Sequence, residues 1–198
     1  MESQGQADHI LLLARHGQTD WNVVRRMQGR SDTELNAVGR GQARALAEAL
    51  RAEKLDRALV SPLRRALQTA EAVRALRPDG PEFEVEPRLA EADMGEFEGR
   101  LDEELLETEE FRAWRRDPVR YPPPGGEGAL DVARRVAPLL DELAAGRRGS
   151  RTLLLGHQFT LAVVNCLVTG VPLDQVRTLL ATPGEVRQVA LPARHPRT

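Results

Sequence analysis

Lysine is almost missing from this 198-residue chain: Lys54 is the only one, and arginine carries the rest of the positive charge. Arginine grips carboxylates and phosphates through a planar, bidentate fork that lysine lacks. Cysteine is equally scarce. With Cys166 alone, no intrachain disulfide and no cysteine-based zinc cluster can form. Its place in the apolar run 161–168 makes it a small buried hydrophobe. There is no excess of charge: 28 Lys and Arg stand against 30 Asp and Glu, a formal net charge of −2. That leaves no cationic surplus to neutralise a nucleic-acid backbone. No apolar run approaches the roughly 18–20 residues of a membrane span. Residues 1–8 are polar and do not read as a secretory signal. These absences point to a cytoplasmic protein that binds neither nucleic acid nor membrane.

What is present is an alternation of strand and helix patterns. HILLLA at 9–14 is an apolar run suited to a strand buried on both faces. Residues 15–32 lack clean periodicity and are dense in polar groups, which marks a functional loop, with room for a short helix. Asn36 is a good cap for a helix to about Arg51. A short strand at 58–60 ends at Ser61-Pro62, where serine as cap and proline as first residue predict a helix start. EFEVE at 82–86 alternates like a strand, and 87–100 is a loop rich in acids and glycine. Helical spacing is expected over 101–116 and again over 130–145, separated by DPVRYPPPGG, which cannot be helical. Pro138 should kink the second of these. A buried strand at 152–155, a helix at 158–168 and a last strand at 186–191 complete the pattern, and the tail from Ala193 should be loose.

This order predicts an α/β fold: a three-layer αβα sandwich on a mostly parallel sheet, in a single domain of 198 residues. In such sheets the functional loops gather beyond the carboxyl ends of the strands. Three polar segments fall there: Arg15-His16 after the first strand, 61–65 after the second, and Gly156-His157 after a later one. Topology would bring them together.

The segments LLLARHGQTDWN, MQGRSDTELNAVGRGQA, SPLRRALQTAE, RLAEADMGEFEG, PGGE and LLLGHQ follow one another in this order. In sequence, order and spacing they resemble the histidine phosphatase (phosphoglycerate mutase-like) superfamily, from about residue 10 to residue 165. The resemblance implies a phosphomonoester hydrolase that uses His16 as nucleophile and needs no cofactor. The chemistry agrees. A phosphate monoester carries nearly two negative charges, which repel an anionic nucleophile. Neutral imidazole avoids this and attacks in line, provided an acceptor on its other nitrogen fixes the tautomer. The transferring phosphoryl group needs positive charge and rigid donors around it, which Arg15, Arg65 and His157 would supply, with Asn22 adding an amide. The family pattern sets its arginine directly before Ala-x-x-Thr-Ala, hence Arg65, leaving Arg64 on a solvated helix face. Gly17 would let the backbone pass close to the phosphate. Gln28 matches a substrate-holding position, and Gln158 stands where the family often has glycine, so it could bring an extra amide to the pocket.

One carboxyl group can protonate the leaving alkoxide and later activate water. Among Glu91, Asp93, Glu96 and Glu98 the resemblance selects Glu91, with the others solvated or structural. The stretch from Glu91 to Pro124 lacks the longer insertion typical of mutases, which favours the phosphatase branch over phosphoglycerate mutase-type transfer. An excursion at about 99–128 would cover the pocket, and Arg112, Arg115, Arg116 and Arg120 could read a second anionic group or simply pair with Glu107, Glu109 and Glu110. The implied partner is a small phosphorylated substrate, for a monomer or homodimer. Two other classes compete. A non-catalytic phosphate-binding module would have little use for the complete set Arg15, His16, Arg65, Glu91 and His157. A metalloenzyme is disfavoured because His9, His16, His157 and His195 show no HExxH-type spacing and no carboxylate cluster. GRG at 39–41 lacks the third glycine of a dinucleotide fingerprint.

Overall fold

The computed structural model describes residues 9–192. The N-terminal stretch 1–8, the tail from Ala193 and His195 lie outside the described residues. The strands are β1 (His9–Arg15), β2 (Arg57–Val60), β3 (Phe83–Val85), β4 (Arg151–Gly156) and β5 (Val186–Leu191). They form one sheet in the order β3-β2-β4-β1-β5, parallel throughout except β5, which runs antiparallel to β1 at the edge. The helices are α1 (Asp20–Val23), α2 (Ala37–Ala49), α3 (Arg64–Ala75), α4 (Asp102–Leu106), α5 (Glu109–Arg116), α6 (Ala129–Ala144) and α7 (Gln158–Thr169).

The side-chain alternation of the central strands builds the layers. Leu12 and Ala14 of β1 and Leu153 and Leu155 of β4 pack with Leu46 of α2 and Ala66, Ala70 and Val73 of α3. Leu11, Leu13 and Leu154 turn the other way, toward Val132, Val136 and Leu139 of α6 and Ala162 and Val163 of α7. Each fully buried leucine contributes about 1.5–3 kcal/mol. The apolar runs in β1 and β4 are thus explained: both faces are covered, giving the expected αβα sandwich. No single helix among the described residues is long and apolar enough to cross a membrane.

Two local expectations meet a different outcome. The Ser61-Pro62 helix start is displaced: α3 begins at Arg64 with Leu63 extended at its cap. The Ser61 hydroxyl is drawn into a buried contact with His157 instead, and Asp32 accepts from the Arg64 N–H at 2.7 Å. The single helix expected over 101–116 is two helices. Thr108 ends the first by donating its hydroxyl to Leu105 O at 2.7 Å, and it caps the second by accepting from Phe111 N at 3.4 Å. At Pro138, α6 runs on as one element of 16 residues. The Asn36 cap is as expected, its Oδ1 accepting from Gly39 N at 2.8 Å.

Candidate active site

The order β2-β4-β1 places three strand ends side by side, and the next residue of each is polar: Ser61, His157 and His16. Ser61 and His157, like Gly17, are not in the wall of the cavity of about 460 Å³ at His16, whose lining includes Arg15, His16, Asn22, Gln28, Arg65, Glu91 and Gln158. Sequence reasoning had assigned all seven to the site.

His16 is buried, and its imidazole stacks obliquely against that of His157 with ring centroids 5.0 Å apart. Its Nδ1 donates to the Gly17 carbonyl at 2.6 Å, while Nε2 accepts from Arg65 Nε at 3.2 Å. Those two contacts fix the tautomer: the proton is on Nδ1 and the lone pair on Nε2. Burial, reinforced by the Arg65 and Arg15 guanidinium groups, holds the ring well below the usual histidine range. His16 is neutral at pH 7, with its free pair turned toward the cationic side chains.

The tandem arginines separate cleanly. Arg65 is 1% exposed, whereas the Arg64 side chain is 54% exposed and paired with Asp32 and Glu34. Arg65 also sends NH1 to Ser31 O at 2.7 Å and NH2 to Gly29 O at 2.8 Å. A buried guanidinium needs acceptors on every side, and here the loop carbonyls supply them, leaving two of its five N–H groups free for a ligand. Arg15 donates NH1 to Ala181 O at 2.6 Å, and its Nε is buried without a partner. Burial lowers both guanidinium groups to about 10, with Glu91 opposing. Both remain charged at neutral pH.

His157 caps α7 in an extended conformation, Nε2 lying 2.7 Å from Ser61 Oγ. Its Nδ1 is buried and unpartnered. Burial, then Arg65, keeps this ring well below the usual range too. Buried polar atoms without partners are rare and call for an explanation. Two of them, Arg15 Nε and His157 Nδ1, sit on residues flanking His16.

Glu91 is anchored by donors. Its Oε1 accepts from Ala92 N at 2.9 Å, Thr160 N at 3.0 Å and Thr160 Oγ1 at 3.1 Å, and Oε2 accepts from Phe159 N at 3.1 Å. The amino-terminal turn of α7 thereby holds the carboxylate at the cavity wall. Asn22 Oδ1 accepts from Thr19 N and Oγ1, and Gln28 Oε1 from Thr19 and Thr33 hydroxyls, so both amides are oriented before any ligand arrives. Gln158 donates Nε2 to Ala181 O at 3.1 Å.

Gly17 has a further reason to be glycine, beside the one expected. A Cβ there would lie 2.3 Å from the Gly39 carbonyl, and one at Gly39 would lie 2.0 Å from Gln18 O. The glycine at 39 in GRG thus lets the first turn of α2 pack against the loop behind His16. Among the excursion arginines, Arg112 and Arg116 pair with Glu109, and Arg116 and Arg120 lie over Tyr121. None of the four lines the cavity; Arg25, Arg26 and Arg177 do. Ser61, which lies in the polar segment 61–65 expected at this end of the sheet but was read as a helix cap, is the partner of His157. Glu98, read as solvated or structural, accepts from Arg30 N, Met94 N and the backbone and hydroxyl of Ser31. It therefore braces the loop whose carbonyls hold Arg65.

Comparison with known proteins bears on this constellation. A profile of the histidine phosphatase superfamily, branch 1, matches residues 11–197. A probable phosphoglycerate mutase of Proteus mirabilis is 38% identical over 172 residues, which are 84% of this chain and 78% of that protein. A glucosyl-3-phosphoglycerate phosphatase of Mycolicibacterium vanbaalenii is 37% identical over 173 residues, 83% of this chain and 76% of its own. The solved structure of a mycobacterial glucosyl-3-phosphoglycerate phosphatase with VO3 superposes with a TM-score of 0.83 at 33% identity, covering 90% of each chain.

Proposed function

The chain belongs to branch 1 of the histidine phosphatase superfamily and is a phosphatase of small phosphorylated metabolites, and we propose that it works through a phosphohistidine on His16. The observation that carries this reading is the tautomer of His16. A proton held on Nδ1 by Gly17 O leaves Nε2 as a neutral nucleophile between Arg65, Arg15 and His157.

In the first step His16 Nε2 attacks phosphorus in line and the ester P–O bond breaks. Arg15, through its unpartnered Nε, and His157, through Nδ1, donate to the phosphoryl oxygens, and Arg65 shifts from the nitrogen it now contacts onto the same group. Glu91 gives its proton to the departing alkoxide. In the second step the Glu91 carboxylate takes a proton from water, the hydroxide attacks phosphorus, and the P–N bond breaks. Asn22, Gln28 and Gln158 hold the substrate from their fixed amides. Nucleophile, charge and proton donor all come from side chains, so no metal is required.

Turnover of a phosphomonoester panel in EDTA, with and without a bisphosphate primer, tests the proposal. Release of inorganic phosphate without primer is expected. Isomerisation of phosphoglycerate that needs primer, with negligible phosphate release, would establish mutase activity instead, and a strict need for a divalent ion would refute the mechanism.

A further inference from the structure

β5 alone among the described strands runs antiparallel, and its direction brings the segment before it to the catalytic end of the sheet. Val186 pairs with Ala14 at the carboxyl end of β1, so residues 179–185 lie against Arg15 and His16. Arg15 N donates to Glu185 O at 3.0 Å, and Gly184 N is shared between the Arg15 and His16 carbonyls at 3.2 Å each. Gly184 makes the turn with φ 78°, in the left-handed region that glycine enters freely. Leu180 and Pro183 of this segment belong to the cavity wall.

The segment meets Arg15 at a single atom. The Ala181 carbonyl accepts from Arg15 NH1 at 2.6 Å and from Gln158 Nε2 at 3.1 Å. A guanidinium group is planar and rigid, so the place of Ala181 O sets where the unpartnered Arg15 Nε points. Ala181 itself belongs to no helix or strand, and two side chains hold its neighbours. Arg187 reaches back from β5, donating NH1 to Leu179 O at 2.8 Å, NH2 to Leu180 O at 3.2 Å and Nε to Glu185 Oε1 at 2.5 Å. Glu185 Oε2 accepts from the backbone and hydroxyl of Thr182 at 2.8 and 2.9 Å. The residues on both sides of Ala181 are thus tied to one ion pair. Burial would raise the Glu185 carboxyl, but the bonds from Arg187 and Thr182 hold it below its ordinary range, and its charge favours the cationic form of Arg15. With side chains 31% and 29% exposed, this ion pair adds little to stability by itself. Its geometric consequence is the larger one.

Resting on the phosphatase reading above, we propose that Arg187 and Glu185 are positioning residues for the reaction: they clamp the Ala181 carbonyl where it aims the Arg15 guanidinium at the phosphoryl group. Neither belongs to the cavity wall, so neither touches substrate.

A double-mutant cycle with Arg15 tests the clamp, read by turnover of nitrophenyl phosphate and by calorimetric affinity for inorganic phosphate. Arg15→Ala should lower kcat by about 10²–10³. Arg187→Ala should lower it by about 10–100-fold, the scale of a small misplacement of a catalytic group, and should weaken phosphate binding. Arg187→Lys should recover part of both. In the Arg15→Ala background, Arg187→Ala should change kcat by less than about twofold, because its effect passes through the group already removed. Glu185→Gln keeps an acceptor for Thr182 while losing the ion pair. It should show a smaller loss, again absent without Arg15, and it carries the cycle if Arg187→Ala fails to fold. A merely structural role would lower kcat by the same factor in both backgrounds. Such multiplicative losses, or an unaltered kcat in folded Arg187→Ala, would overturn the clamp and leave the phosphatase standing. Coupled losses of phosphate affinity in a protein that turns over no ester would uphold the clamp and overturn the hydrolytic reading.

Discussion

At the scale of single residues, adjacent arginines have opposite fates. Arg64 and Arg65 are neighbours at the start of α3, but one meets solvent and two surface acids while the other meets His16 and two loop carbonyls. Arg65→Ala should therefore lower kcat by about 10²–10³, the cost of losing a donor to the transition state, and Arg64→Ala should change it by less than about threefold, as befits an exposed ion pair. Steady-state kinetics of the two variants decides it, and the reverse order would contradict the assignment. The choice of Arg65 was legible in the sequence because its place before Ala-x-x-Thr-Ala is a local pattern. Asp102 and Arg177 were not legible. They lie 75 positions apart in the chain, and only folding places both in the wall of one cavity. Ser61 was misread for a related reason: Ser-Pro is a good local cap, but the His157 ring 2.7 Å away takes its hydroxyl.

At the scale of elements, periodicity found the strands and most helices because each presents a regular apolar face. It joined α4 to α5 because the interruption at Thr108 is a matter of one side chain serving two helix ends, which no period registers. The loop 29–31 has no periodicity at all, and its role is set by what braces it. Gly29 adopts φ 48°, and a Cβ there would meet Glu98 Oε1 at 2.0 Å. Glu98 gathers donors from both sides of this loop and thereby aims the Gly29 and Ser31 carbonyls at Arg65. Removing that brace in Glu98→Ala should loosen Arg65 and slow kcat by about 10–100-fold, or about 1.4–2.7 kcal/mol, with KM changing less and the circular dichroism spectrum kept. An unaltered kcat in a folded variant would show that Arg65 does not need the loop.

For the whole molecule, burial sets a pH dependence. His9, His16 and His157 are all depressed below 6.5, in each case chiefly by burial. The native forms of His16 and His157 stay neutral while the unfolded chain takes up protons as the pH falls past about 6.5, and His9 lags in the same direction. The unfolded state then binds more protons than the native one, so stability rises with pH in this window and is lost on acidification, by about 1.4 kcal/mol per pH unit for each of His16 and His157 and by less for His9. Urea titrations should give constant stability above about pH 7 and a steady fall between about pH 6.5 and 5, before the depressed carboxylates such as Asp56 and Glu84 begin to titrate. His9→Gln, at the end of β1 remote from the cavity, should make that fall shallower. A flat profile down to pH 5 would mean that these rings are not held neutral.

The central claim is that the parallel strand ends converge on a neutral His16 that takes the phosphoryl group. Rapid acid-free quenching of a reaction with ³²P-labelled nitrophenyl phosphate tests it most directly. Labelled protein should carry phosphate that is acid-labile and base-stable, mapping to the peptide that contains His16. The trapped fraction should grow in Glu91→Gln, where water loses its base but the nitrophenolate departs unaided, and it should be absent in His16→Ala. Label that persists in His16→Ala, or that maps to another residue, would contradict the account.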